Sequence, residues 1–271
     1  MKIQNGHVAV ITGAGGGLGS ALARALAEKG CALALSDISK DALQKTVADL
    51  PDSVGAVTQH VVDVSDRKAM IKFAKDVQKA HGGVNILINN AGITLQKNFS
   101  THSLEDWDRM MGINLWGVIH GCHVFDAALH EANTAHVVNL SSMSAFLGLP
   151  GQSSYCATKA GVQLLTDCLW AEWGTTGIGV TSVHPGAIRT NMIMATLEES
   201  DDVEQARKNF DLAHKTGVDA DYAAAKIVRA IEKNKMRVKI GKDAYIFHIL
   251  MRFFPGLANT AMKAVARKLA S

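Results

Sequence analysis

Short apolar runs alternate with helical patterns along almost the whole chain. Seven runs have the length of a strand, and most are apolar throughout. They lie at His7–Thr12, Cys31–Ser36, Thr58–Val64, Val84–Asn89, His136–Ser141, Ile178–His184 and Arg237–Gly241. Strands that are apolar on both faces and separated by helices are typical of a parallel sheet covered on both sides. The pattern predicts a doubly wound α/β fold of about seven parallel strands, with helices on both faces and right-handed crossovers.

The helical patterns between these runs predict one continuous domain. No internal repeat, low-complexity tract or Pro/Gly-rich linker divides the 271 residues. We therefore predict a single domain over residues 1–271, with two long helical patterns at Ser103–Glu131 and Ser153–Gly174. Segment 190–216, which is polar and mixed, predicts either a substrate lid or a pair of surface helices. Segment 242–271 predicts a C-terminal helical extension.

Composition and charge argue against several classes of function. The formal net charge is +3, and no basic stripe with interleaved aromatic residues indicates a nucleic-acid partner. The four cysteines show neither C-x-x-C pairing nor the spacing of a disulfide framework or a zinc site. The chain enters a strand pattern without a preceding signal segment, and no apolar run has the length of a spanning helix. These features predict a cytoplasmic protein in a reducing compartment, without a metal site.

A glycine-rich turn connects the first strand to the first helix. It reads Thr12-Gly13-Ala14-Gly15-Gly16-Gly17-Leu18-Gly19. Glycine lets the backbone turn tightly and approach a pyrophosphate, and the following helix offers unpaired N–H groups to the phosphates. The order strand, turn and helix predicts a Rossmann-like dinucleotide site. We assign Gly13, Gly17, Leu18 and Gly19 to this site.

The end of the second strand indicates which dinucleotide binds. Asp37 lies 18 residues after Gly19, where a carboxylate can accept hydrogen bonds from the adenosine ribose of NAD and repel the extra phosphate of NADP. Ile38 is a second predicted cofactor contact, and Lys40 is the nearest basic residue. Alternatively, Asp37 or Ser39 caps the next helix. The prediction is NAD(H), with NADP(H) as the less favoured cofactor.

Three residues form the most specific chemical pattern in the chain. Tyr155 and Lys159 are four residues apart, so on a helix their side chains share one face. A phenol with its ordinary pKa of about 10 is a poor base, and a neighbouring ammonium together with an oxidised nicotinamide would favour the phenolate. Ser142, at the end of the fifth strand, could hold the substrate oxygen while Tyr155 transfers the proton. Alternatively, Tyr155 and Lys159 form a surface pair, and Ser141 and Ser142 are strand-end caps.

Together with the glycine turn, these residues resemble the short-chain dehydrogenase/reductase family. The resemblance covers residues 5–241. The family patterns T-G-x-x-x-G-x-G, N-N-A-G, Y-x-x-x-K and P-G-x-x-x-T are matched at Thr12–Gly19, Asn89–Gly92, Tyr155–Lys159 and Pro185–Thr190. The family's serine falls on Ser142. The resemblance implies a Rossmann-fold oxidoreductase that acts on CH–OH groups, and no catalytic position departs from the pattern.

The resemblance also implies roles for residues outside the three-residue pattern. Asp63 would contact the adenine ring, and Asn114 would hold a water that links Lys159 to solvent as a proton relay. The implied catalytic set is Asn114, Ser142, Tyr155 and Lys159. The further cofactor contacts implied are Asp63, Val64, Asn90, Ala91, Gly92, Tyr155, Lys159, Pro185, Gly186, Ile188 and Thr190. Family members form homodimers or homotetramers, which implies contacts through the two long helical patterns.

The loops after the fifth and sixth strands are expected to line the substrate pocket. These loops are largely apolar, and Arg189 is the one charged candidate near them. An apolar, adaptable lining predicts a small hydrophobic secondary alcohol or ketone. The residues assigned to substrate contact are Ser142, Phe146, Leu149, Tyr155 and Met192.

Other interpretations of the chain stay open at this point. Segment 261–269 is basic and amphipathic, which is compatible with a membrane surface, although packing over the pocket or against another subunit is favoured. The same fold could serve an epimerase or dehydratase that recycles its dinucleotide, or a non-enzymatic NAD(H)-binding sensor or scaffold. A metal-dependent alcohol dehydrogenase would have to use His120, His123, His130 or His136, and the cysteine ligands expected with them are missing.

Overall fold

Seven strands form one sheet in the structure, a computed structural model that describes residues 1–269. The strands are β1 (Val8–Thr12), β2 (Ala32–Asp37), β3 (Val57–Val61), β4 (Ile86–Asn89), β5 (His136–Leu140), β6 (Gly179–Pro185) and β7 (Arg237–Ile240). All neighbouring strands pair in parallel, in the order β3-β2-β1-β4-β5-β6-β7. The predicted doubly wound α/β fold is confirmed.

Helices cover both faces of this sheet. The α-helices of the described residues are α1 (Gly17–Ala27), α2 (Lys40–Ala48), α3 (Arg67–His81), α4 (Leu104–Met111), α5 (Gly117–Glu131), α6 (Ser153–Trp173), α7 (Val203–Thr216), α8 (Ala220–Glu232), α9 (Lys242–Phe253) and α10 (Pro255–Leu269). One apolar core includes Leu22 of α1 and Ile227 of α8. The core on the other face includes Phe73, Phe125 and Val162, from α3, α5 and α6. Each face of the sheet is therefore buried, as the continuous apolar strands require.

Local sequence explains where these elements begin and end. All five residues of β1 are buried, because β2 and β4 flank this strand and helices cover it. Leu18 is half-buried in the first turn of α1. The Asp66 side chain caps α3 by accepting hydrogen bonds from the N–H groups of Lys68 and Ala69. Gly82 ends that helix with a φ of 76°.

Two elements differ from the predicted pattern. The third strand ends at Val61, so Asp63 and Val64 lie in the loop that follows it. The helical pattern predicted over Ser103–Glu131 is interrupted by a π-helical turn at Gly112–Trp116, between α4 and α5. A π-turn accommodates an additional residue within a helix, and such turns occur often at functional sites.

The strand order places the functional crevice. The chain runs from β1 outward to β2 and β3, and then returns to β4 on the other side of β1. Ligands of open parallel sheets bind outside the carboxyl ends of the strands, at the point where the order reverses. The glycine turn after β1 and the loops after β4 and β5 all lie at this edge.

The two segments singled out in the sequence are both helical. Segment 190–216 contains a 3₁₀-helical stretch at Met194–Glu199, followed by α7. The predicted extension forms α9 and α10, and its residues 270–271 lie outside the described part of the chain. None of the helices described is both long enough and apolar enough to cross a membrane.

Candidate active site

Close backbone contacts shape the glycine turn at both ends. Gly13 has a φ of +64°, and a Cβ at this position would lie 2.8 Å from the Cα of Ala91. Gly17 has a φ of +54°, and a Cβ there would lie 3.0 Å from the methyl group of Thr190. Glycine therefore fits both positions better than any other residue. Gly16, by contrast, faces open space immediately before α1, which leaves room for phosphate groups at the helix N-terminus.

Asn90 connects the end of β4 to this turn. Its Nδ2 donates hydrogen bonds to the carbonyls of Thr12 and Gly13, both at 3.0 Å. The Thr12 hydroxyl oxygen accepts hydrogen bonds from the N–H groups of Asn90 at 3.0 Å and Ala91 at 3.1 Å. Gly19 packs so closely that a Cβ there would lie 2.0 Å from the Gly13 carbonyl oxygen. The protein itself therefore holds the turn in shape.

Asp37 borders the turn on the side of β2. Its carboxylate accepts hydrogen bonds from the N–H groups of Gly15 at 2.8 Å and Ser39 at 3.0 Å. Ser39 caps α2 by accepting a hydrogen bond from the N–H of Ala42 at 3.2 Å. Of the two candidate caps, Ser39 takes that role and leaves the Asp37 charge beside the glycine turn. The adjacent Ile38 is 71% exposed, so its side chain is accessible to a ligand.

Asp63 and Val64 have different surroundings in the loop after β3. Asp63 is exposed, and its carboxylate accepts hydrogen bonds from the N–H of Ser65 at 2.9 Å and from the Ser65 hydroxyl at 2.7 Å. The Val64 side chain is buried against Gly117, and its carbonyl accepts a hydrogen bond from Nδ1 of His120 at 2.9 Å. A side-chain contact with the adenine ring is therefore available to Asp63 and not to Val64.

Ser142, Tyr155 and Lys159 meet at the carboxyl end of β5. Ser142 lies just after the strand, and the other two lie in the first two turns of α6. The Lys159 Nζ lies 5.8 Å from the centre of the Tyr155 ring and donates a hydrogen bond to the Leu140 carbonyl at 2.9 Å. Ser142 also caps a 3₁₀ turn, because its Oγ accepts a hydrogen bond from the N–H of Ser144 at 3.1 Å. The serine is thus positioned by the same turn that it caps.

Burial shifts the pKa values of Tyr155 and Lys159. Burial raises the pKa of Tyr155, and hydrogen bonding with Ser142 acts in the opposite direction. Burial lowers the pKa of Lys159 to about 8. The predicted lowering of the Tyr155 pKa requires an oxidised nicotinamide as well as the Lys159 ammonium, so it stays a prediction. In the structure the ammonium is engaged with the Leu140 carbonyl, so within the polypeptide burial of the phenol dominates.

Asn114 lies within the π-helical turn and is completely buried. Its Oδ1 accepts a hydrogen bond from the N–H of Ile93 at 2.8 Å, and its Nδ2 donates to the Ile93 carbonyl at 2.9 Å. A Cβ on Gly92 would lie 3.1 Å from this Oδ1 and 3.3 Å from the Lys159 Nζ. Gly92 therefore lies next to both the Asn114 amide and the Lys159 ammonium. A relay water between these two groups stays a prediction.

The loop after β6 connects the C-terminal extension to the glycine turn. A Cβ on Gly186 would lie 2.0 Å from the Asp243 carboxylate, whose Oδ2 accepts a hydrogen bond from the N–H of Ala187 at 2.7 Å. At the other end of the loop, the Thr190 methyl lies against Gly17. The predicted cofactor contacts of this loop are all half-buried, namely Pro185, Gly186, Ile188 and Thr190.

The predicted substrate residues differ in their contacts and in their exposure to solvent. Phe146 is in contact with two histidines, with its ring centre 4.5 Å from that of His184 and 4.7 Å from that of His248 in α9. Leu149 is half-buried, whereas Met192 is 37% exposed. The extension therefore packs directly against the predicted substrate loop.

Two polar residues near the site were missed by sequence analysis. The buried His184 donates from Nδ1 to the Ser142 carbonyl at 3.2 Å and accepts at Nε2 from the Ser182 hydroxyl at 2.9 Å. Burial lowers its pKa to about 4 and keeps it neutral. A histidine within an apolar strand was the available signal. Asp243 gave none, because its contact with Gly186 joins positions that no local pattern relates.

The histidines considered as metal ligands make separate contacts. His120 bonds to the Val64 carbonyl, His136 is buried 2.8 Å from the Thr181 hydroxyl, and His123 is exposed. Across residues 1–269, no three or more His, Cys, Asp or Glu side chains are grouped so that they could hold a metal ion.

Comparison with known proteins identifies relatives over nearly the whole chain. The family model for short chain dehydrogenases matches residues 7–201. A Mycobacterium tuberculosis protein named as oxidoreductase SadH is 37% identical over 257 residues, which cover 93% of this chain and 92% of SadH. The protein named as oxidoreductase EphD, from the same organism, is 35% identical over 259 residues. The chain spans 44% of the length of EphD, which is less than half.

Solved structures share the same architecture. A short-chain dehydrogenase/reductase from Burkholderia phymatum, in complex with NAD, has a TM-score of 0.81 at 29% identity, over 88% of this chain and 90% of that one. Levodione reductase has a TM-score of 0.79 at 29% identity, over 89% of this chain and 99% of that one. Since the family model matches most of the chain and SadH is similar over nearly its full length, this chain belongs to the short-chain dehydrogenase/reductase family of oxidoreductases.

Proposed function

We propose that this protein transfers a hydride between NAD(H) and a hydrophobic secondary alcohol or ketone. The observation that carries the proposal is the grouping of Ser142, Tyr155 and Lys159 at the carboxyl end of β5. This group combines two hydroxyls with a buried ammonium, next to the crevice that the glycine turn borders. Such a set is suited to moving a proton to or from an alcohol oxygen while a hydride moves at the adjacent carbon.

Tyr155 is the general acid and base in this proposal. In oxidation its phenolate takes the hydroxyl proton of the alcohol, and in reduction its phenol returns a proton to the carbonyl oxygen. A nicotinamide, when bound, accepts or supplies the hydride. Ser142 donates its hydroxyl hydrogen to the substrate oxygen, where negative charge develops. Lys159 and Asn114 hold the relay water beside Gly92, through which the proton reaches solvent.

The charge on Tyr155 depends on both the protein and the cofactor. Burial raises the pKa of the phenol, which opposes phenolate formation. Lys159, whose pKa is lowered to about 8, keeps a positive charge 5.8 Å from the ring below that pH. An oxidised nicotinamide would add a second positive charge. The phenolate therefore forms mainly with oxidised cofactor in place.

Asp37 is the basis for proposing NAD rather than NADP. Two backbone N–H groups hold its carboxylate beside the glycine turn, where the ribose hydroxyls of NAD could donate to it. A 2′-phosphate at this position would meet a fixed negative charge. The Burkholderia phymatum relative was solved in complex with NAD, which supports the same choice here.

The proposed reaction is tested by absorbance at the reduced-nicotinamide band. Purified protein is supplied with NAD or NADP and with matched panels of apolar secondary alcohols and polar polyols. The expected result is net NADH formation that is faster with the apolar panel. Faster turnover of polyols would contradict the substrate class. Tight NADH binding without turnover of any compound would favour a sensor, and turnover without net cofactor oxidation would favour an epimerase.

We also propose that the protein forms a homodimer or homotetramer through the faces of α5 and α6. Trp116, in the π-helical turn before α5, is 46% exposed, and Leu164 and Trp170 of α6 are 63% and 42% exposed. In sedimentation velocity, Leu164→Glu should shift the protein toward monomer. Leu212→Glu is the control, because Leu212 is similarly exposed, at 58%, on α7. A monomeric wild type would contradict the proposal.

A further inference from the structure

A row of large apolar side chains is exposed on the C-terminal extension. Tyr245, Ile249 and Phe253 are four residues apart on α9, so they lie along one face of the helix. The members of this apolar row are between 50% and 66% exposed, and they are Tyr245, Ile246, Ile249, Phe253, Phe254 and Leu257. Contiguous exposed apolar surface of this kind marks an interaction site more often than a free surface.

A positively charged groove lies beside the apolar row. The groove has a volume of about 360 Å³, and α8, β7 and the start of α9 border it. Its cationic side chains are Lys226, Arg229, Lys233, Lys235, Lys239 and Lys242. No carboxylate lines this basic groove, and within residues 1–269 none of the six cations forms a salt bridge. Positive charge concentrated in a concave site attracts anionic ligands.

Tyr245 belongs to both features. It lines the basic groove, and the Nζ of Lys239 lies 5.3 Å from the centre of its ring. Across the groove, the Nζ of Lys226 lies at the same distance from the ring of Tyr222. The two tyrosines thus border the groove, and the apolar row continues outward from Tyr245 along α9. Basic and apolar surface therefore form one continuous face.

We propose that this face binds the surface of an anionic phospholipid bilayer. The basic groove receives the headgroup phosphates, and the apolar row enters the boundary between headgroups and acyl chains. Lysines next to exposed aromatic and aliphatic side chains are the composition expected of such a peripheral contact. The contact is peripheral, since it uses one face of α9 and the turn into α10.

The charge of this face indicates whether its partner is a bilayer or a second copy of the chain. A two-fold dimer places the same patch on both sides of the interface, so the six cations of one copy would face those of the other. The extension adds no compensating charge. Residues 242–271 contain five Lys or Arg and a single acidic residue, Asp243, whose carboxylate is directed toward Ala187. An anionic surface complements this face, whereas a second copy does not.

The opposite side of α9 faces the candidate active site. His248 contacts Phe146 of the predicted substrate loop at 4.7 Å between ring centres, and Asp243 holds the Ala187 backbone. One helix therefore separates the proposed bilayer contact from the substrate loop. An apolar substrate dissolved in the bilayer would have a short path to the site.

Vesicle co-sedimentation of the full-length protein tests the proposal. Vesicles of phosphatidylcholine alone are compared with vesicles that also contain phosphatidylglycerol, at low and physiological salt. We expect binding to the anionic vesicles that weakens with salt, because screening reduces the attraction. Each lysine near an anionic surface contributes a factor of about five, so Lys226→Glu with Lys233→Glu should lower the partition coefficient by roughly 30-fold or more.

Matched variants distinguish a specific effect of this face from an effect of net charge or of total exposed apolar surface. Lys75→Glu with Lys79→Glu makes the same charge change on α3, which follows the opposite edge strand of the sheet, and should have little effect. Ile249→Ser with Phe253→Ser should lower binding at both salt concentrations. The control for this variant is Ile71→Ser with Leu212→Ser, which removes exposed apolar surface from other parts of the molecule. Thermal melting of each variant checks that it is folded.

Three results would overturn the proposal. The first is an absence of binding to anionic vesicles at low salt. The second is binding that the groove variant does not weaken more than the Lys75 and Lys79 control. The third combines two observations: the wild type does not bind vesicles, and the variant with Ile249→Ser and Phe253→Ser loses the oligomeric state of the wild type. That result would show that the face is a contact between copies of the chain.

Discussion

At the scale of single residues, Asp37 has both a structural and a chemical role. Its carboxylate accepts two backbone hydrogen bonds, at 2.8 and 3.0 Å, which fix its position beside the glycine turn. The same contacts leave a negative charge where the adenosine ribose of a dinucleotide is expected. Cofactor preference should therefore depend on this one side chain.

Replacing Asp37 by Ser should raise the use of NADP relative to NAD. Removing the negative charge removes repulsion of the 2′-phosphate and a partner for the ribose hydroxyls. We expect the ratio of kcat/KM for NADP to that for NAD to rise at least about tenfold, equivalent to about 1.4 kcal/mol. Asp41→Ser is the matched control, since Asp41 is an exposed carboxylate in the first turn of α2. An unchanged ratio in Asp37→Ser would show that Asp37 does not select the cofactor.

Local spacing recovers some site residues and not others. Tyr155 and Lys159 could be found because a four-residue spacing places them on one helix face, and Ser142 because it ends a strand. Asp243 could not be found, because its contact with Ala187 connects residues 56 positions apart. The effect of burial on the Tyr155 pKa could not be predicted either, since burial depends on the whole fold.

At the scale of elements, hydrophobic periodicity predicts that a helix is present better than it predicts irregular turns within that helix. The apolar pattern continues through Ser103–Glu131, yet the structure contains a π-helical turn at Gly112–Trp116. The turn holds Asn114, which bonds to the backbone of Ile93 in a separate loop. Such a tertiary contact leaves no signal in the periodicity. It is, however, what brings the amide next to Gly92.

The segment predicted as a lid is attached to the loop after β4. The Asp201 carboxylate accepts hydrogen bonds from the N–H of Asn98 at 2.7 Å and from the Thr101 hydroxyl at 2.6 Å. Arg109 forms a salt bridge with Glu199 at 2.5 Å. These contacts are exposed, so each of them stabilises the segment only weakly. A buried hydrogen bond from the Thr196 hydroxyl to the Thr94 carbonyl also holds the segment.

Replacing Asp201 by Ala should loosen this segment. Loss of the two hydrogen bonds should increase limited proteolysis within residues 190–216 by roughly threefold to tenfold. Glu204→Ala is the control, because within residues 1–269 the one salt bridge of this carboxylate is with Lys208 of its own helix. Equal cleavage of the two variants would contradict the role of Asp201, and would favour a pair of surface helices over a lid.

At the scale of the whole molecule, the sheet was the most predictable feature. Continuous apolar runs separated by helices leave few arrangements other than a parallel sheet with two covered faces. The basic groove was not predictable in the same way. Its lysines come from α8, the turn that follows it, β7 and α9, and only the packing of these elements places them around one cavity.

Two buried histidines should make the stability of the whole fold depend on pH. Burial lowers the pKa of His136 to about 3 and that of His184 to about 4. In the unfolded chain both recover a pKa of about 6.5. Below that value the unfolded chain binds protons that the folded chain does not. The free energy of unfolding should therefore fall as the pH is lowered from 6.5 toward 4, by about 1.4 kcal/mol per pH unit for each histidine.

Urea unfolding at pH 7, 6 and 5 measures this dependence. His184→Gln should reduce the slope between pH 6 and 5 by the contribution of one proton, whatever its effect on absolute stability. His123→Gln, at an exposed position of α5, is the control for replacing a histidine by glutamine. Identical slopes for wild type and His184→Gln would show that His184 is not held neutral by burial.

The most direct test of the proposed chemistry is the turnover of Tyr155→Phe on an apolar secondary alcohol with NAD. The substitution removes the phenolic hydroxyl and keeps the ring. Loss of acid–base catalysis should lower kcat by about 10² to 10⁴, while NADH affinity, measured by fluorescence, should stay close to that of the wild type. A Tyr155→Phe protein that retains kcat near the wild-type value would contradict the assignment of Tyr155 as the acid–base group.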